Sequence, residues 1–358
     1  MPHATFPSTQ TALVVQGSGK LALKHDVPVP ALTNVGAIIK VAAVAINPVD
    51  AKILDFSPAV GAVHGHDFAG IIVALGPDAP GHLEVGDRVA GTVHGNNSLE
   101  PSIGGFSEYV ASDGDLLLKL PEKMSFEEGA TIGIGLGTAL LCMFRELELP
   151  GPIYPPEPSN SDKFVLVAGG ATATGTRTIQ LLKTMGFRVV TTCSPSSSDL
   201  PLRFGAEKFF DYRSPTCAAD IRAYTKNTLA YAIDCVSLAD TTQLCYGALG
   251  RAGGRYVALE PYREAITNSR PTVTPSWALG LTIFGKRVPL EGAYAREAQP
   301  LDRKMAKEMF PRVQKLADKG LFWTHPVKSM EGGWSGVQQG VDIIRTQTSS
   351  GYKLVYSV

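Results

Sequence analysis

The stretch VLVAGGATATGTRT, Val165 to Thr178, decides how the rest of the chain is read. A run of apolar residues passes straight into small ones and then into a helical pattern. Gly169 and Gly170 let the backbone turn sharply where the strand ends. Gly175 and the small Ala and Thr residues before it leave room for phosphate groups at the N-terminus of the helix. Free N–H groups and the helix dipole favour negative charge there. The stretch departs from a strict GxGxxG pattern. On its own it also fits a tight strand–helix turn in any α/β protein, so its neighbours carry weight.

Downstream, strands alternate with helices. KFVLVAGG is followed by a helix through IQLLKTMG, stopped by Gly186. FRVVTTC, a helix toward Phe204, AEKFFDY, YAIDCV, the helix TTQLCYGALG, GRYVALE and LTIFG continue the series. Apolar strands alternating with helices predict a parallel sheet covered on both faces. Upstream, ALVVQ, AIIKVAAVAI, FAGIIVALG and GDRVAGTV are short, Val- and Ile-rich segments broken by Gly, Pro and Asp, the pattern of a compact β-rich domain. FEEGATIGIGLGTALLCMF reads as a helix pair, and PGPIYPPEPSNSDK as a surface loop. The tail adds the amphipathic helix DRKMAKEMFPRVQKLADKG with a kink expected at Pro311, a helix near VQQGVDIIR and the strand KLVYSV. The expected class is α/β: residues 1–128 and 300–358 form a β-rich domain, interrupted by a nucleotide-type domain over 129–299.

The end of the second strand of the series bears on the ligand. An NAD enzyme usually has Asp or Glu there, about 20 residues after the turn, for the ribose hydroxyls. Here the segment is TTCSPSSSD, with Cys193, Ser194 and Ser196 to Ser198 in that region and Asp199 too far along. Hydroxyls and amides accept a 2′-phosphate that a carboxylate would repel, which favours NADPH; the same serines can also cap a helix.

The bulk numbers fit an enzyme of two domains. The chain has 358 residues, 44% hydrophobic and 18% charged, with Lys+Arg and Asp+Glu both 33. A balanced charge offers no field for nucleic acid or anionic lipid. The opening MPHATFPSTQTALVV lacks a basic start and a long apolar stretch, so neither signal peptide nor membrane span is expected. Five scattered cysteines without CxxC spacing read as reduced, mostly buried thiols, and the expected compartment is the cytosol.

GHDFAG, Gly65 to Gly70, resembles a zinc signature. A catalytic zinc needs three protein ligands from separate segments. His64, His66, Asp67, His94 and Cys142 are present, but AINPVDAK has no Cys where a thiolate is expected, and Cys142 falls on a core helix. No metal is expected, and His66 reads as a pocket-lining or hydrogen-bonded histidine. No His–Asp or Cys–His pair stands out as acid or base.

AINPVDAK, GHDFAG, GDRVAG, GGFSEYV, AGGATATG and the closing GYKLVYSV, in this order, resemble the medium-chain dehydrogenase/reductase family over essentially the whole length. INPVDAK, GGATATGT, TTCSPSSSD, FDYR, RAYTKNTLAYAIDC, GRAGGRYVALEP and LTIFG are similar to its zinc-independent, trans-acting enoyl reductases that partner fungal highly reducing polyketide synthases, the lovastatin-pathway type. The resemblance implies a GroES-like domain with a Rossmann-type domain, and a nicotinamide lying near Val49, Asp50, Ala51 and Lys52 in the cleft between them. It implies a pyrophosphate on Thr172, Ala173, Thr174 and Gly175, and a 2′-phosphate around Ser194, Pro195, Ser196 and Ser197 with Tyr212 nearby. Leu259 and Glu260 would line the cofactor, and Ser350 and Gly351 would close over it. The acyl channel would use Gly135, Leu136, Gly137, Thr138, Ala139, Leu140, Leu141 and Cys142, with Thr282, Ile283, Phe284, Gly285 and Lys286. His66 stands where the lovastatin-type enzyme carries a small hydroxyl residue, which alters the inner pocket.

The reaction expected from this resemblance is reduction of an α,β-unsaturated thioester carried by a partner polyketide synthase. Lys52 is the leading functional side chain, and Thr138 is a donor for the thioester oxygen. A quinone or enone reductase acting on diffusible substrates, and a non-reducing accessory protein or isomerase of the same fold, are the competing readings. A polar, Pro-containing segment, PYREAITNSRPTVTP, before the expected edge strand favours a monomer.

Overall fold

The computed structural model describes residues 6–155, 157–346 and 351–358. Two strands, β1 (Thr9–Gly17) and β2 (Lys20–Pro28), pair antiparallel in a sheet of their own. Then come β3 (Gly36–Ala45), helix α1 (Pro48–Phe56), β4 (Asp67–Leu75), β5 (Arg88–Thr92), β6 (Tyr109–Asp113), β7 (Leu118–Lys119) and helix α2 (Phe126–Ala130). Helix α1 starts where Pro48 fills the first turn and the Asp50 carboxylate takes the Asn47 backbone N–H at 2.6 Å.

Helix α3 (Gly133–Leu141) runs into a π-helical turn, Cys142–Glu146. Beyond it the alternation is regular: β8 (Phe164–Ala168), α4 (Ala173–Thr184), β9 (Arg188–Cys193), α5 (Asp199–Arg203), β10 (Lys208–Asp211), α6 (Cys217–Tyr224), β11 (Tyr231–Asp234), α7 (Ala239–Ala248), β12 (Gly254–Ala258), α8 (Glu264–Thr267) and β13 (Val273–Trp277). The tail contributes α9 (Pro300–Asp318), β14 (Val327–Met330), α10 (Gly333–Thr346) and β15 (Lys353–Ser357).

The chain divides into two compact units, Met1–Ile134 with Phe284–Val358, and Gly135–Ile283. The sequence pattern changes at 128/129 and 299/300, while the compact units meet at 134/135 and 283/284. The first unit is a mixed sheet in the order β14-β15-β3-β4-β5-β7, with β6 on β3. Its core includes Leu13, Ile39, Phe68, Phe106 and Tyr356. β15 pairs antiparallel with β3, so the tail completes a sheet begun more than two hundred residues earlier.

The second unit is a six-stranded sheet in the order β10-β9-β8-β11-β12-β13, and every pairing is parallel. Its apolar strands need cover on both faces, which the helices supply. The order reverses between β8 and β11, the doubly wound Rossmann arrangement.

Two local expectations are corrected, and helix α9 is continuous through Pro311. LTIFG is a 3₁₀ turn over Gly280–Phe284, and the outer strand is instead VTPSW. Pro275 is tolerated in β13 because an outer strand has one side without ladder bonds. Helix α6 was not anticipated; it is eight residues long and buries only Cys217 and Ile221, too short to show a helical stripe. Helix α9 is assigned without a break through Pro311, whose side is exposed while Phe310 and Val313 are buried.

Lys353 is buried on β15, and its ammonium pairs with Asp67, also buried, at the start of β4. The other Asp67 oxygen accepts the Ile134 N–H at 2.6 Å. Removing one partner of a buried pair strands the other charge, at a cost of about 3–5 kcal/mol. Lys353→Met should therefore lower stability by that amount, read as an earlier midpoint in urea unfolding followed by tryptophan fluorescence.

Candidate active site

The second unit shows why the Gly-rich turn has its composition. Thr172 caps α4 by accepting the Gly175 N–H on its side-chain oxygen at 3.0 Å. Gly169 has φ +79, a conformation suited to glycine. A Cβ at Gly175 would lie 2.4 Å from the Gly169 carbonyl oxygen, and one at Gly170 2.0 Å from Thr191 Oγ1. Backbone therefore packs where side chains would otherwise stand. The first N–H groups of α4 have no intrahelical acceptor, so Ala173 and Thr174 offer donors to an anion. Gly135 of α3 faces this turn: a Cβ there would come within 3.8 Å of Thr174 Oγ1.

The parallel register sets the strand ends side by side. Asp234 of β11 is level with Ala168 of β8 and Ala258 of β12. At this edge Asp234 accepts the N–H groups of Val236 at 3.0 Å and Ser237 at 2.8 Å, together with the hydroxyls of Thr241 and Tyr256. Ser237 in turn accepts the Leu259 N–H at 2.7 Å. Burial raises the Asp234 carboxyl above the usual range, against those hydrogen bonds. This network fixes the loop after β11 and so the position of Leu259; Glu260 follows it, half-buried.

After β9, Ser194 Oγ lies 3.1 Å from both Ser196 Oγ and Ser197 Oγ, and Pro195 and Ser196 are exposed. Sequence reasoning missed a carboxylate beside them. Asp211 ends β10 level with Cys193, and it pairs with Arg213 at 3.1 Å. Arg213 holds the Asp211 carboxyl below its ordinary value, and Tyr212 is exposed beneath the guanidinium, 5.7 Å from ring centre. The signal was present in FDYR: an acid and a base two residues apart at a strand end.

The residues expected to line an acyl channel, Gly135 to Cys142 on α3 and the turn after it, are buried, with Thr138 8% exposed. A Cβ at Gly137 would meet Ile283 Cδ1 at 2.6 Å, so the structure brings Gly137 and Ile283 together. Thr282 is buried and Phe284 half-buried. Lys286 is exposed and pairs with Glu100 at 2.6 Å. Gly351 has φ +81; Ser350 lies outside the described residues.

In the first unit, Val49 and Lys52 reach the surface of α1, whereas Asp50 turns inward. The two Asp50 carboxylate oxygens are already engaged within the protein. Oδ2 takes the Asn47 N–H, and Oδ1 lies 2.5 Å from His66 Nδ1. Burial alone would raise the Asp50 carboxyl; the His66 ring and the hydrogen bonds outweigh it and hold the group below its usual range. A His–Asp pair therefore exists where the sequence showed none.

Two more buried histidines surround this pair. His64 Nε2 lies 2.9 Å from the Asp50 carbonyl, and His94 Nδ1 lies 3.4 Å from Asn97 Nδ2. Burial depresses His64 to about 4 and His94 to about 3, so both rings are neutral near pH 7. Three ring atoms, His64 Nδ1, His66 Nε2 and His94 Nε2, are buried without a hydrogen-bond partner. Gly65 holds the segment in place: its φ is +90, and a Cβ there would strike the Phe106 ring at 2.2 Å.

The turn at α4 fits the diphosphate of a dinucleotide. A zinc does not fit: among the described residues no three His, Cys, Asp or Glu are grouped to hold a metal ion. No helix among them is long and apolar enough to cross a membrane.

Comparison with known proteins agrees with this geometry. The sequence model of the alcohol dehydrogenase GroES-like domain matches residues 34–122, and that of the zinc-binding dehydrogenases matches residues 173–292. A trans-enoyl reductase of Aspergillus niger is 62% identical, covering 100% of both chains. One from Penicillium crustosum is 58% identical, again over 100% of both. Among solved structures, a putative zinc-dependent alcohol dehydrogenase protein from Rhizobium etli superposes with a TM-score of 0.78 at 21% identity, covering 99% of each chain, which shows a shared fold.

The depressed histidines make stability depend on pH. Unfolded, each binds a proton below its ordinary value of 6.5; folded, His64 binds one only near 4 and His94 only near 3. Between those values the unfolded chain holds more protons, so stability falls as pH drops below 6.5, by up to about 1.4 kcal/mol per pH unit for each ring. Urea unfolding at pH 7.5, 6 and 5 should show this slope, and His94→Asn should flatten it.

Proposed function

We propose that this chain, which belongs to the medium-chain dehydrogenase/reductase family and within it to the trans-enoyl reductases, reduces the α,β-double bond of acyl thioesters carried by a partner polyketide synthase, with NADPH, in the cytosol and as a monomer. The single observation that carries the reading is the Thr172-capped, side-chain-free turn at the head of α4, set at the edge of a parallel sheet whose order reverses there. The family supplies the nicotinamide cofactor, whose bound reduced form provides the hydride.

The chain's own residues bind and orient. The N–H groups of Ala173 and Thr174 would take the diphosphate. Ser194, Ser196 and Ser197 would donate hydroxyls to a 2′-phosphate. Arg213 supports the preference for NADPH, since it neutralises Asp211 and keeps its guanidinium exposed. Lys52, exposed on α1, would hold the nicotinamide ribose or feed a proton through it. Thr138 would donate to the thioester oxygen as negative charge gathers there. The buried face of α3, with Gly137 against Ile283, would line the acyl chain. Pro275 on the outer strand β13 lacks a ladder N–H, which supports a chain that does not extend its sheet through a second copy.

The carrier-bound substrate is the part of the proposal most open to test. Enoyl chains on a carrier domain should turn over faster than free enones, and NADPH should outperform NADH. A hundredfold preference for free enones would overturn the assignment in favour of a diffusible-substrate reductase. Lys52→Ala should lower turnover of the same thioester at least tenfold; near-normal turnover would remove Lys52 from the mechanism.

A further inference from the structure

Several cations of the first unit are matched by acids: Lys119 by Asp87, Lys286 by Glu100, Arg345 by Asp55 and Asp342, and Lys353 by Asp67. The outer face of α9 is different. The helix buries Met305, Ala306, Phe310, Val313, Leu316 and Ala317. Its opposite face carries Lys304, Lys307, Arg312 and Lys315, all exposed. Among the described residues none of these four forms an ion pair. Glu308 and Asp318 are the acids on that face, and Asp318 accepts the Gln314 amide at 2.7 Å. Lys319 adds a further exposed cation at the helix end. From Lys304 to Lys315 the stripe runs about 16 Å at the helical rise.

Neither the helix nor the composition of the chain accounts for this stripe. A helix dipole favours cations in the last turn, which covers Lys315 and Lys319 but not Lys304, Lys307 and Arg312. A general basic bias is absent, because Lys+Arg and Asp+Glu are both 33. The helix is held in place beneath the stripe. Arg303 pairs with Asp113 at 3.1 Å and with Asp115, and Gln314 exchanges two hydrogen bonds with the Lys119 backbone, at 2.8 and 3.0 Å. At the far end the Leu321 N–H bonds the Leu316 carbonyl at 2.8 Å, and Leu321 and Trp323 are exposed on either side of buried Phe322, Trp323 at 52%. Exposed apolar side chains at the end of a row of cations suit recognition of another protein. They do not suit a helix lying in a membrane surface, because the apolar face of α9 is already buried in the fold. The first turn of α9 rests on Gly285, where a Cβ would lie 2.5 Å from Arg303 Cβ. Gly285 belongs to the segment expected to border the acyl chain.

We propose that the exposed face of α9 is the docking surface for the acyl carrier domain of the partner synthase, with Lys304, Lys307, Arg312 and Lys315 meeting carboxylates on that domain and Trp323 adding an apolar contact at one end. This rests on the reading of the chain as an enoyl reductase of carrier-borne thioesters. The partner is defined by its charge: an acidic domain whose thioester hangs from an anionic phosphodiester arm. An enzyme not joined covalently to the synthase meets that domain by diffusion, and complementary charge raises the rate of productive encounter. The stripe therefore acts on capture of the carrier and leaves the chemical step unchanged.

The test uses the full-length protein with NADPH and one acyl group in two forms: but-2-enoyl on an acyl carrier domain of a highly reducing polyketide synthase, and but-2-enoyl pantetheine. Combining Lys304→Glu, Lys307→Glu and Lys315→Glu should lower kcat/KM for the carrier form roughly tenfold, through KM, with kcat within twofold. The same variant should stay within twofold of wild type on the pantetheine form, which shows that it is folded. Lys304→Gln, Lys307→Gln and Lys315→Gln together should give a smaller loss of the same kind, and they keep the test decisive if the reversed helix does not fold. Wild-type kcat/KM for the carrier form should fall with added salt, and more steeply than that of the reversed variant. Lys20→Glu, Lys24→Glu and Lys40→Glu, at exposed sites on β2 and β3, change the net charge equally and should cost less than threefold. The inference is overturned if the α9 variants stay within threefold of wild type on the carrier form, if both substrate forms fall together, or if the β2 and β3 control loses as much. Sedimentation with phosphatidylserine vesicles that the α9 variants lose, with carrier kinetics unchanged, would assign the face to an anionic membrane and overturn it too. Should wild type fail to reduce but-2-enoyl pantetheine, the enoyl reductase reading itself fails, in an arm that does not involve α9.

Discussion

All six strands from β8 to β13 run the same way, and their order reverses at β8. Each strand therefore ends at one edge, where the backbone must leave the sheet. The loops after β8 and β11 leave in opposite directions along the sheet, which opens a crevice that no strand crosses. The turn after β8 must then do two things at once: reverse the chain within a few residues and leave the first amides of α4 unobstructed. Only a run without bulky side chains does both, which is why a Cβ at Gly170 or Gly175 would meet other atoms at 2.0 and 2.4 Å. The Asp234 network across the same edge is the counterpart on β11. It meets the polar needs of a loop whose residue Ser237 sits at φ +59.

The first unit is organised by a different constraint, the burial of charge. His66 and Asp67 are adjacent, so at the entry to β4 their side chains point in different directions. One reaches α1 through Asp50; the other reaches β15 through Lys353 and the start of α3 through the Ile134 N–H. Two neighbouring residues thus tie together three segments that are remote in sequence. Such pairs gain little net stability, because desolvation offsets most of the attraction. Their effect here is to permit one arrangement: any shift of β4 by a residue would exchange the partners and leave charges buried alone.

This explains how much could be read from the sequence. The phosphate turn, the strand–helix alternation and the β-rich flanks are local patterns, governed by sterics and periodicity within about a dozen residues. They were legible. The Asp50–His66 pair joins residues sixteen apart in segments with no shared period, and Lys353–Asp67 joins residues 286 apart. Nothing local marks either pair. The outer strand was misplaced for a related reason: LTIFG has the better strand composition, but pairing with β12 was open to VTPSW, and the partner decided. Asp211 and Arg213 lie between these extremes, two residues apart and visible as FDYR, yet meaningful only once β10 is seen to lie beside β9.

On the proposed reading, the two units divide the chemistry by what each can supply. A hydride comes with its cofactor, so the unit that holds the cofactor needs amides, hydroxyls and a cation balanced against Asp211, but no strong acid. Its ionisable groups agree with that: burial pushes the Cys193 thiol up to about 11 and raises those of Cys142, Cys235 and Cys245 as well, which makes them inert near neutral pH. A proton must come from a side chain or from water. The first unit buries His64, His66 and His94 close together, and their hydrogen bonds give them unequal parts: His64 and His94 face backbone or amide partners, whereas His66 faces a carboxylate. Equal burial with unequal partners separates otherwise similar rings.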